Sequence, residues 1–253
     1  MHVVNLLNKL SLIVISVIMF SGCSPKSAKI VKKIPQRYID RPYTLPTGNN
    51  SWTVSALQRH TSYTDTAEFA ASDEKDFLLN PLGWENPISD NVSVEITPLP
   101  GIRYQVLKTD NSWLGARLDT VLFVTMAEIQ YHYKLSENIA LVPQLNYIDS
   151  DFIFATGSQQ TAGFNLIYQA NDSVAIIAGV ERARQEIEDD FFSSFFGSAS
   201  PEIDIDYLTV VKLGFNYYLN KSWDVSVSWR ETTYDEITED KLQHLVLETR
   251  YFY

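Results

Sequence analysis

Few side chains in this chain are spaced to do chemistry. Cys23 is the single cysteine, and it closes an apolar run. One thiol forms no internal disulfide and no multi-cysteine metal site, but it can carry a lipid. His60 and His244 sit near the two ends of the sequence that follows. Brought together beside acidic loops, a histidine pair could hold a metal or act as a base. Glu186, Glu188, Asp189 and Asp190 form a dense carboxylate run beside Phe191 and Phe192. Such a run could hold Ca²⁺ or Mg²⁺. Glu128, His132, Lys134, Lys212, Asp224, Arg230, Glu248 and Arg250 are charged or titratable residues inside otherwise apolar stretches. There is no G-x-S-x-G, no H-E-x-x-H and no phosphate-binding glycine loop. No catalytic residue is assigned and no cofactor is implied.

The chain has 253 residues, 20 basic against 31 acidic, and a net charge of −11. That length suits one or two domains with a real core. The acidic balance argues against nucleic acid as a partner. A mean hydropathy of −0.12 excludes a helical multi-span membrane protein. Its 32 Phe, Trp and Tyr residues exclude a disordered one. Residues 24–50 hold Lys26, Lys29, Lys32, Lys33, Arg37 and Arg41 against Asp40 alone. With four prolines and a TGNN end, they read as a flexible basic tether, either solvated or touching anionic head groups. Residues 51–253 carry the acid, a net −17.

The leader resolves the cysteine. Residues 10–20 are apolar after Lys9, the length of a signal-peptide core and too short to span a bilayer. They end in Ser21-Gly22-Cys23. This resembles the bacterial lipobox, with Phe20 departing from the usual Leu. The resemblance implies a signal peptide over 1–22 and diacylglycerol and an N-acyl chain, such as palmitate, on Cys23. It also implies handling by the lipoprotein-sorting machinery; Ser24 in place of Asp favours the outer membrane of a Gram-negative envelope. The alternative is an ordinary signal peptide or anchor with an incidental cysteine.

The body alternates with period two. Tyr207, Thr209, Val211, Leu213, Phe215, Tyr217 and Leu219 share one face, against Lys212, Gly214 and Asn216. Trp223, Val225, Val227 and Trp229 oppose Asp224, Ser226, Ser228 and Arg230. This is strand, not helix. Two folds fit: a membrane barrel with apolar residues outward, or a soluble periplasmic β-sandwich lipoprotein. Strand length, aromatics at the strand ends and loop length favour the barrel. Tight turns at 136–138, 171–172 and 220–222 alternate with long connections at 150–160, 185–205 and 233–241. The chain ends LVLETRYFY. Tyr251 and Tyr253 resemble the terminal strand of outer-membrane barrels, which the barrel-assembly machinery recognises. The expected fold is therefore all-β, an antiparallel up-and-down transmembrane barrel over 51–253, after the leader (1–22) and the tether (23–50). Ten strands are expected. Eight is the alternative, with 51–90 as plug or cap and helix formers at 65–79. Pro143 and only ten glycines fit a barrel poorly.

In such a barrel Glu128, His132, Lys212, Arg230, Glu248 and Arg250 form a polar lumen network, because Arg or Lys facing lipid at mid-depth costs about 2–4 kcal/mol. The expected role is structural or surface interaction, with contacts to outer-membrane lipid, envelope proteins or lipopolysaccharide. A narrow solute channel is one alternative. Another is a barrel hydrolase acting on lipids: His60-Thr61-Ser62 is similar to the His-x-Ser pair of barrel esterases, without the acid partner those families place beside it.

Overall fold

The computed structural model describes residues 34–62, 73–96, 99–121, 124–152, 155–188, 203–220, 222–234 and 241–253. One antiparallel sheet of twelve strands closes on itself. In chain order these are β1 (Ser51–Ser62), β2 (Asp73–Ser89), β3 (Val92–Ile96), β4 (Pro100–Lys108), β5 (Ser112–Val121) and β6 (Val124–Lys134). They continue as β7 (Ile139–Phe152), β8 (Ala155–Gln169), β9 (Val174–Glu188), β10 (Ile203–Asn220), β11 (Trp223–Tyr234) and β12 (Lys241–Phe252). Each strand pairs with its sequence neighbour, and β1 closes the ring on β12 over twelve registered residues, Ser51↔Phe252 through Ser62↔Lys241. Asn50 and Tyr253 then exchange backbone hydrogen bonds at 2.8 and 3.0 Å. With no free edge, every strand can satisfy its backbone groups within the sheet. The single closed sheet excludes the two-sheet sandwich.

The count is twelve, not ten or eight. β6–β12 are the seven strands legible in the sequence, and β1, β3 and β4 match the expected upstream three. β2 and β5 are the additions. β2 occupies the stretch expected as plug or cap, where Pro81, Gly83 and Pro87 break the pattern. β5 alternates Leu114, Ala116 and Leu118 outward with Trp113, Gly115, Arg117 and Asp119 inward. Two added strands keep the count even, so both ends of the barrel chain remain on one side.

The outward face is apolar. Ile129, Tyr131 and Tyr133 on β6, Leu145 on β7, Phe164 and Leu166 on β8, and Leu213 and Phe215 on β10 are all exposed. Leu145 reaches 57%. A band of large exposed apolar side chains is what lipid contact requires. At the short-turn end, Trp84, Trp52, Tyr251 and Trp223 stand in register across β2, β1, β12 and β11. The ring centroids of Trp52 and Trp84 lie 6.4 Å apart, and those of Trp223 and Tyr251 lie 4.6 Å apart. Such a row suits a membrane–water interface. Pro143 also faces outward, and the β6–β7 pairing lapses beside it between Gln130↔Gln144 and Tyr133↔Leu141. A proline that donates no hydrogen bond accounts for that gap.

The alternation of loop lengths holds only in part. Turns at 135–138, 170–173 and 221–222 are short as expected. The connection expected at 150–160 is only 153–154, because β7 and β8 keep pairing to Phe152↔Ala155. There the outward residues turn polar (Asp149, Ser158, Gln160), so the apolar signal stops before the strands do. At the same end, 97–99 and 122–123 are short as well.

Candidate functional site

Many of the contacts inside the barrel are made by the segment expected to be a flexible tether. Residues 34–50 do not trail away from the barrel. They cross its lumen at the short-turn end, with one 3-10 turn at Tyr38–Asp40. Their basic, proline-containing composition suits this because a buried irregular chain must find partners for each backbone group, and the lumen wall supplies them. The N–H groups of Ile39, Tyr43 and Leu45 donate to Gln169 Oε1, Gln105 Oε1 and Glu85 Oε1 at 3.1, 3.1 and 3.3 Å. All three wall side chains are buried.

Charges meet charges along the same path. Arg41 pairs with Asp224 of β11, with side-chain exposures of 12% and 6%. Lys134 of β6 pairs with Asp40 at 2.6 Å. Arg37 donates to Asn138 Oδ1 at 2.7 Å, and Gln36 donates to Ser173 Oγ at 3.0 Å. At the far side Thr47 donates twice to Asp90 Oδ1, at 2.8 and 2.6 Å. The segment thus touches wall or turn residues from β2 round to β11.

Two packing contacts seat it. Ile39, fully buried, packs with Ala140, Val142, Ile167 and Ala175. Burying that side chain contributes roughly 2 kcal/mol. Tyr43 tilts against Trp113, ring centroids 5.1 Å apart, and Trp113 stacks on His132, also at 5.1 Å. The Tyr43 hydroxyl donates to Glu128 at 3.0 Å. Burial and the Glu128 carboxylate push this phenol well above its ordinary range, so it stays a donor. Gly115 makes room for the ring: a Cβ there would collide with Tyr43. Gly115→Ala is therefore expected to unseat Tyr43 at about 1–3 kcal/mol. Accelerated proteolysis within 34–50, with the barrel core still resistant, checks this.

The expected lumen residues face inward and fall into separate contacts. Glu128 holds Tyr43, and His132 lies in the aromatic stack with neither ring nitrogen hydrogen-bonded among the described residues. Lys212 pairs with Glu181, which also accepts from Gln144. Arg250 pairs with Glu85 and donates to Ser51 at 3.1 Å. Arg230 stands opposite Lys212 and His244, exposed to the lumen. Glu248 lines two cavities that the plug borders. One cavity of about 340 Å³ lies between plug and wall; another of about 520 Å³ lies above, toward the loop end.

A second inward cluster lay outside the sequence expectation. Arg117 of β5 bridges Glu95 of β3 and Asp119, each at 2.5 Å, and Arg103 of β4 reaches Glu95 at 2.8 Å. Its signal was the alternation of 113–119.

The remaining candidates divide. β1 and β12 are neighbours, as closure requires. Their register sets His60 opposite Gln243 and His244 opposite Arg59, so the two histidine positions fall on alternate faces of the sheet. A shared site does not form. The side chains of His60, Thr61 and Ser62 lie outside the described residues, as do Asp189 and Asp190 entirely and the side chain of Glu188. Glu186 pairs with Arg184. Among the described residues no three His, Cys, Asp or Glu side chains are grouped to hold a metal. Cys23 lies outside the described residues.

No protein-family model matches the chain, and no curated protein sequence does. Solved structures do match in fold. An outer membrane channel from Pseudomonas putida F1 superposes over 83% of this chain and 97% of its own, with a TM-score of 0.55 and 12% identity. The translocator domain of the autotransporter NalP from Neisseria meningitidis covers 80% of this chain and 88% of its own, with a TM-score of 0.47 and 7% identity. Ail of Yersinia pestis covers 82% and 99%, with a TM-score of 0.34 and 9% identity. The Pseudomonas likeness and the closed twelve-stranded ring agree: this chain has the outer-membrane β-barrel fold.

Proposed function

We propose that the protein is an outer-membrane lipoprotein, anchored through Cys23, whose barrel serves a structural or surface-interaction role with its lumen held shut by its own N-terminal segment. The observation that carries this reading is the path of residues 34–50 across the lumen, joined to inward charges on both sides. The apolar outer band and the aromatic row support residence in a membrane. The geometry suits an anchor as well. Ile34 begins at the short-turn end, which faces the periplasm in outer-membrane barrels. The eleven residues back to Cys23 reach at most about 35–40 Å, enough to set a lipid in the near leaflet.

The test is membrane fractionation with heat-modifiability on a gel, together with the intact mass. Cys23→Ala is expected to lose the lipid mass while the barrel stays in the outer membrane. A variant that becomes soluble would contradict the membrane-barrel part. An unlipidated wild type would contradict the anchor alone.

A second reading, a narrow channel that opens when the plug withdraws, is favoured by one observation. The plug is held chiefly by ion pairs and hydrogen bonds, below a polar cavity of about 520 Å³. The Pseudomonas structure is itself described as an outer membrane channel. Conductance of the wild-type barrel, with and without a transmembrane voltage, separates the two: steady silence supports the structural role, and reversible opening supports the channel.

A further inference from the structure

We propose that the outer wall of the barrel holds a site for a phosphate-bearing lipid of the leaflet at the loop end, built by Arg182 and Arg184 of β9. This rests on the outer-membrane reading above. The outward residues of β9 run Val174, Ile176, Ala178 and Val180, and then change to Arg182, Arg184 and Glu186. Val174 to Val180 spans about 20 Å along the strand, within the roughly 25 Å apolar band of such barrels. The arginines therefore stand at the upper edge of the band, the depth of head-group phosphates.

The wall beside them is concave. A depression of about 640 Å³ opens on the outward face of β6–β10. Its outward small residues are Ala127 and Ala162, and Leu145, Tyr147 and Tyr207 stand around them. In register, Ala162 faces Arg182 and Gln160 faces Arg184. One edge of an apolar groove thus carries two guanidinium groups. An acyl chain fits the groove and a phosphate fits the edge, so a soluble anion would use only half of the surface.

Arg182 is already positioned. Its Nη1 donates to Thr209 Oγ1 at 2.8 Å, and the guanidinium lies 5.6 Å from the Tyr207 ring centroid. A planar fork fixed in this way is suited to bidentate phosphate contact. Arg184 pairs with Glu186, with side-chain exposures of 40% and 34%. A pair this exposed is weak, and a phosphate can displace the carboxylate.

The test is native mass spectrometry of the detergent-purified barrel titrated with bis-phosphorylated lipid A and with its dephosphorylated form. Wild type is expected to retain the phosphorylated lipid. Arg182→Gln/Arg184→Gln should weaken retention about tenfold or more, and Arg182→Lys less. Glu186→Gln, which frees Arg184, should strengthen it. Equal retention of the dephosphorylated lipid, or by the double glutamine variant, would overturn the proposal. So would displacement of the lipid by millimolar inorganic phosphate, which would indicate a free-anion site. Heat-modifiability is read first on each protein: if wild type lacks it, the membrane reading fails, and if the double variant alone lacks it, Arg182→Lys and Glu186→Gln decide.

Discussion

Removing residues 34–50, with Cys23 and 24–33 kept, is expected to turn a silent barrel into a conducting one. Twelve strands enclose a lumen wider than their own inward side chains fill, and the plug takes up the remainder at the short-turn end. A milder variant gives the same sign. Arg41→Ala removes the guanidinium that pairs with Asp224, whose side chain is only 6% exposed. Stranding a buried charge costs on the order of 3–5 kcal/mol, which would shift a closed–open balance by about a hundredfold to several thousandfold. Adding Asp224→Asn removes the stranded charge and should restore part of the closure. Planar-bilayer conductance and uptake of a small sugar into liposomes read both effects. An equally silent deletion variant would mean that the wall alone blocks the lumen.

The largest expected loss of stability lies elsewhere, at Arg117. It serves two carboxylates at once, Glu95 and Asp119, whose side chains are 2% and 0% exposed. Arg103 can still hold Glu95, but Asp119 would be stranded. Gly101 stands opposite Asp119 with no side chain, and a Cβ there would collide with that carboxylate. The pocket is built around the charge and cannot relax by letting it turn outward. Arg117→Ala is expected to destabilise the barrel by about 3–5 kcal/mol. Replacing Asp119 with Asn in the same protein should recover much of that. Urea unfolding in detergent micelles, read by the gel shift of the folded form, gives the difference.

Much of the fold could be read from alternation. From β6 to β12 the outward residues are large and apolar and the inward ones polar, so period two is clear and the barrel follows. β2 was hidden because Pro81, Gly83 and Pro87 break the pattern, and because 65–79 is rich in helix formers. β5 was hidden because only three apolar residues mark its outer face. The plug was the harder case. Its basic charge and prolines describe a solvated linker equally well, and nothing local in 34–50 shows that Asp224, Lys134 and Glu128 lie waiting for it. Those partners come from strands 85 to 183 residues away in sequence. Inward charges were legible as a network, but their pairings were not, because register between strands decides which residues meet. The same register separates His60 from His244, two positions that topology alone would bring together.

The most direct measurement is cross-linking of the plug to the wall in native membranes. In a Cys23→Ala background, Asp40→Cys with Lys134→Cys replaces an ion pair that spans 2.6 Å. Val54→Cys with Thr249→Cys marks the directly opposed strands β1 and β12 and reports barrel closure. A short bifunctional thiol reagent is expected to join both pairs. Joining of 54 to 249 without joining of 40 to 134 would show a closed barrel with an empty mouth, and would contradict the N-terminal plug.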